Sequence, residues 1–134
     1  MSNCRNRKGR FTSCATGGGA RGRRADDYGY PRAETIQRYM GITKAQAKQI
    51  RDALVNTPGE EQEKLEAAGS AMEATGKTGL QVFGVEYIER RHSKYGAFYY
   101  TNTGDTYSPI IAYYPATRRF QVAGGWAQAA GLDY

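Results

Sequence analysis

Acid is missing from the start of this chain: none of the first 24 of its 134 residues is Asp or Glu. The same stretch carries Arg5, Arg7, Lys8, Arg10, Arg21, Arg23 and Arg24, whereas Ala25 to Tyr134 holds 12 basic and 13 acidic residues. The formal net charge of +6 therefore belongs to the N-terminal segment, and the remainder is close to neutral. Cysteine is scarce too. Cys4 and Cys14 both lie in that segment, which excludes a disulfide-stapled core and leaves two thiols in a reducing compartment. With His92 the only histidine, the chain falls short of the four soft ligands of a structural zinc site, so neither metal nor other cofactor is expected. No apolar run nears the roughly 20 residues of a membrane helix, and no apolar stretch follows the N-terminal arginines as in a secretory leader. A soluble cytoplasmic protein without a membrane partner is expected.

Catalytic constellations are also lacking. His92 follows two arginines in a turn-like stretch, where it serves no nucleophile as a base. Glu86 and Glu89, three apart on an expected strand, point to opposite faces and make a poor acid–base pair. Gly76-Lys77-Thr78 resembles the end of a phosphate-binding loop, but Ala71 stands where the motif requires its first glycine. The chain reads as non-enzymatic.

What is present begins with the charge. A cationic segment gains affinity for polyanions by releasing their condensed counterions, so the seven bases point to nucleic acid or a nucleoprotein surface; the plainer reading is a solubilising tail. Residues 1–29 are rich in Arg, Asn, Ser and Gly, including Gly17-Gly18-Gly19, and read as a disordered arm.

Residues 30–134 read as one α+β domain. Pro31 suits the first turn of a helix over about 32–40, which Gly41 stops. Thr43 caps a second over about 44–55, with Ala47, Ile50 and Leu54 on one face and Lys44, Lys48 and Arg51 on the other. Thr57-Pro58 with Glu60 predicts a capping box opening a third over about 58–74, a surface helix with a thin stripe of Leu65, Ala68 and Met72. Strands follow over about 82–90, 97–102, 106–114 and 119–123, forming an antiparallel meander with a tight hairpin at Asn102-Thr103-Gly104-Asp105.

Three features here are candidates for binding. Arg90, Arg91, His92 and Lys94 run into Phe98, Tyr99 and Tyr100, a basic and aromatic mixture suited to stacking bases; the plainer and preferred reading is ordinary core tyrosines beside a solvated turn. Asp105 and Tyr107 belong either to a partner-facing loop or to a well-formed turn. Trp126 is either an interface anchor or the residue that closes the core.

Two resemblances add to this reading. The segment Ile36-Gln37-Arg38-Tyr39-Met40-Gly41-Ile42-Thr43-Lys44-Ala45, with Ala47 and Ile50, resembles the helix-turn-helix of DNA-binding proteins, as αα-hairpins also can. The likeness implies that Thr43, Lys44, Gln46, Lys48 and Gln49 face a DNA groove. More broadly, Arg5 to Phe11, Gly84-Val85-Glu86-Tyr87-Ile88, Tyr100 to Tyr107, Arg119-Phe120-Gln121-Val122 and Gly125-Trp126 resemble small uncharacterised proteins of phages and prophages. That likeness implies an accessory role against host machinery, a class that includes anti-CRISPR inhibitors. The expected function is non-catalytic binding to nucleic acid or to a host nucleoprotein complex. A helix-turn-helix regulator and a virion-associated structural protein are the alternatives.

Overall fold

The computed structural model describes residues 29–77 and 79–132. The seven N-terminal bases, the disorder expected around them and both cysteines lie outside the described residues. Within them, helices α1 (Ala33–Met40), α2 (Lys44–Asn56) and α3 (Glu61–Ala74) precede an antiparallel sheet of β1 (Val85–Ile88), β2 (Phe98–Thr101), β3 (Ile110–Tyr114) and β4 (Arg119–Ala123). The strands lie in sequence order, and a short helix α4 (Trp126–Ala130) follows them. The α+β class is as expected, with the meander in place and one helix added.

Local chemistry sets the helix ends. Pro31 lies ahead of α1, not in its first turn, and Gly41 closes the helix at φ 67°, its N–H donating to Gln37 O at 2.8 Å. At α2, Thr43 and Gln46 form a reciprocal capping box, with bonds of 3.1 and 3.0 Å. The box expected at Thr57 instead sits three residues on: Glu60 caps α3 and Glu63 Oε1 accepts from the Glu60 N–H at 2.7 Å. Thr57 terminates α2, donating its N–H to Ala53 O, and Lys64 Nζ donates to Leu54 O, Val55 O and Thr57 O. The Lys64 ammonium thus meets the negative end of the α2 dipole and neutralises carbonyls that would otherwise lack donors.

The expectation that α3 lies on the surface is overturned. Leu65, Ala68 and Met72 are fully buried, packed against α2 on one side and the sheet on the other. A thin stripe suffices because Gly69 lets the layers close. A Cβ there would stand 2.9 Å from Val82 Cγ1 and 3.8 Å from Thr101 Cγ2.

β3 is buried along its whole length, and its alternation splits the core in two. Ile111 and Tyr113 join Ile36, Ile50, Leu54, Leu65 and Phe120 beneath the helices. Ile110, Ala112 and Tyr114 join Phe98, Tyr100, Ala129 and Ala130 on the far face. That second layer is absent from the strand-by-strand reading, since Trp126 to Ala130 is too short for a helical period to register. Trp126 is partly exposed and packs against this second cluster.

Two strands are shorter than expected. β1 starts after Gly84, whose φ of 112° interrupts the strand, although Phe83 N–H still donates to Asn102 O and Asn102 N–H to Gly84 O. β3 starts only at Ile110, so residues 102–109 form a long loop and not a tight hairpin. The Asp105 carboxylate accepts from the Tyr107 N–H at 3.1 Å and the Ser108 hydroxyl at 3.0 Å, and Pro109 has no N–H to give a ladder.

Candidate nucleic-acid interface

Beyond Ile88 the chain leaves the sheet in a single 3-10 turn, Arg90–His92, held by His92 N–H donating to Glu89 O at 2.9 Å. Ser93 Oγ then accepts from the Tyr95 N–H at 3.1 Å, and Gly96 at φ 90° turns the chain back into β2. Arg90, Arg91, His92, Lys94 and Tyr95 are thereby all left exposed on one turn. Arg91 Nε pairs with Glu89 Oε1 at 2.8 Å, a solvent-facing bond worth little in stability.

The long loop meets this turn from the other side. Its shape comes from short side chains bonding to nearby backbone: Gly104 N–H donates to Asn102 Oδ1 at 2.9 Å, and Asp105 holds Tyr107 and Ser108. Thr106 O rests against Gly125 so closely that a Cβ at Gly125 would overlap it. A cleft of about 590 Å³ results, with Tyr95 and Lys94 on one wall, Tyr107 on another, and Gly124, Gly125 and Gln128 among the residues that line it. Tyr95 is 59% and Tyr107 67% exposed.

A second cleft of about 520 Å³ shares Tyr95 and Gln128 and adds Tyr39, Tyr114 and Gln121. Within that lining, burial, with a smaller contribution from Tyr95, pushes the Tyr114 phenol up to about 12. That hydroxyl donates to Ala129 O at 2.8 Å, fastening α4 to the sheet. Lys94 N–H fastens the same C-terminal end of α4, donating to Ala130 O at 2.8 Å.

The sequence candidates divide accordingly. Arg90, Arg91, Lys94 and Tyr107 fall around the first cleft or on the turn beside it. Asp105 spends both carboxylate oxygens within its own loop. The aromatics first chosen for stacking are not available: Phe98 is fully buried, Tyr100 nearly so, and Tyr99 is half-buried toward the helices with its ring 4.9 Å from that of Tyr87. The exposed ring in that stretch is Tyr95, which sequence reasoning passed over. Its signal was Gly96, which marks a turn and not a strand at that point.

Lys44 and Lys48 are exposed on α2, in the helical layer. Arg51 is half-buried, its Nε donating to Pro31 O at 3.0 Å. Of the five residues that a DNA-reading helix would offer, Thr43 and Gln46 are bonded to each other's backbone, and Gln46 Nε2 also donates to Thr75 O at 3.1 Å. Lys44, Lys48 and Gln49 remain on the outer face.

Among the described residues no three His, Cys, Asp or Glu side chains gather as a metal ion requires, and no helix is long and apolar enough to cross a membrane. The chain matches no protein-family model, and no curated protein or solved structure is significantly similar to it.

Proposed function

We propose that this chain is a non-catalytic nucleic-acid-binding protein, a phage-type accessory factor working in a bacterial cytoplasm. The observation that carries the reading is that exposed Tyr95 and Tyr107 line one open cleft with Lys94, next in sequence to the exposed Arg90–His92 turn. Aromatic faces beside cations are what sequence-tolerant binding of nucleic acid uses. The seven bases between Arg5 and Arg24, in a segment without acid, give the chain its net positive charge. They would supply affinity, and the cleft would supply discrimination.

A second reading, docking onto a host nucleoprotein complex as an inhibitor, draws on the same exposed tyrosines, since aromatic residues also dominate protein interfaces. A helix-turn-helix regulator draws less support, because Gln46 is committed to Thr43 and Thr75. The test is capture from bacterial lysate with the full chain and with residues 1–24 deleted, each with and without nuclease. Nuclease-sensitive material that falls with the deletion is the expected result. A stoichiometric protein complex that survives nuclease would move the second reading to the front.

A further inference from the structure

We infer that the cleft between Tyr95 and Tyr107 holds one unpaired base of a single-stranded nucleic acid, with the flanking phosphates toward Lys94 and the Arg90-Arg91 turn. The inference rests on the nucleic-acid reading above and sharpens it to one strand form and one place.

The first support is how the rings are held. Tyr95 is anchored by Ser93 Oγ and followed by a left-handed Gly96, while Tyr107 is anchored by Asp105 Oδ1. These short-range hydrogen bonds fix both backbones, and the Tyr95 ring lies over Gly131, where a Cβ would stand 2.9 Å from its Cε2. A ring already placed in this way loses less entropy when a base stacks on it. The second support is size and lining. A cleft of about 590 Å³ falls in the range of small-ligand sites. Three of its lining residues, Gly124, Gly125 and Gly131, contribute no side chain and leave room beside the tyrosines.

The third support is polarity. Gln128 lines the cleft, and its Oε1 is occupied by the Gly124 N–H at 2.5 Å. Its amide nitrogen keeps two N–H donors, suited to a ring nitrogen or carbonyl on a base edge. The fourth is charge: Lys94 is at the cleft, and Arg90 is exposed four residues away on the same turn. A duplex offers the cleft only groove edges and phosphates, since its base faces are covered by their neighbours. An unpaired base offers a face to each tyrosine, and such stacking is worth about tenfold or more in affinity per base.

The test uses the full chain and oligothymidines of about ten nucleotides, within the length such sites span. One is intact, one is abasic with the same phosphates, and one is paired with its complement. Binding is read by anisotropy, and a strand carrying 2-aminopurine reports stacking by fluorescence quenching. The intact strand should bind at least about tenfold more tightly than the abasic strand or the duplex. Tyr95→Ala with Tyr107→Ala should remove that advantage while leaving abasic binding unchanged. Tyr95→Phe with Tyr107→Phe should restore it, because stacking needs the ring and not the hydroxyl.

Equal binding of intact and abasic strands, unaltered by the alanine pair, would overturn the cleft assignment and leave a charge-driven nucleic-acid binder. Failure of all three strands to bind would overturn the nucleic-acid reading as well.

Discussion

The two faces of the sheet are made from the same strands and carry different burdens. Toward the helices, Ile111, Tyr113 and Phe120 meet Ile50, Leu54, Leu65 and Met72 under three helices of 8, 13 and 14 residues. On the other face Phe98, Ile110, Ala112 and Tyr114 have a five-residue helix whose buried side chains are all alanine. Short, small-residued cover seals the strands but does not fill the margins, and it leaves two clefts, both lined by Tyr95 and one also by Tyr107. One face therefore holds the chain together, and the other leaves open clefts with exposed rings, where we propose that binding occurs.

The sharpest break of that contrast is in stability. Leu65→Ala opens a hole between α3 and the sheet, and by denaturant titration it should cost about 3 kcal/mol. A loss below about 1 kcal/mol would mean the helical layer does not hold the fold.

Next in size is the alkaline limb. In the folded chain the Tyr114 phenol ionises near 12, while an unfolded tyrosine ionises at the ordinary value of 10.0. Unfolding in that interval releases a proton, so Tyr114 contributes stability fully below about pH 10 and loses it as pH rises to about 12. The loss should be of order 2 kcal/mol and should shrink in Tyr114→Phe. Burial also raises Tyr100, helped by Glu86, and Tyr113, helped by Glu61, so a remnant should persist in that variant. Stability that is flat across the interval would contradict the buried state of these phenols.

Smallest should be Tyr95→Ala, changing stability by less than about 0.5 kcal/mol because its ring is mostly in solvent. A cost rivalling that of Leu65→Ala would erase the distinction between the faces.

How much of this could be read from the chain varies with how local the cause is. Gly41 and Thr43 announce the α1–α2 turn because both act through bonds within four residues. Thr57 misleads for the same reason: Thr57-Pro58 with Glu60 matches a capping box as well as Glu60 with Glu63 does, and only the Lys64 contacts to the end of α2 decide between them. The burial of α3 depends on Gly69 meeting Val82 and Thr101, contacts across 13 and 32 residues that no window captures. At the site, Lys94 and the Arg90-Arg91 pair were legible as charge. Tyr95 was separable from Tyr99 and Tyr100 only once Gly96 was seen to end a turn there.

In the function we propose, charge supplies affinity for nucleic acid and the cleft supplies discrimination. The most direct measurement is the dissociation constant for an intact single strand across a series of salt concentrations, with the full chain and with residues 1–24 deleted. Log affinity should fall steeply with log salt for the full chain, by about 0.7 per phosphate neutralised, and the slope should shrink on deletion while the preference for intact over abasic strands survives. A salt slope near zero for the full chain, or the same slope with and without the seven bases, would contradict the account.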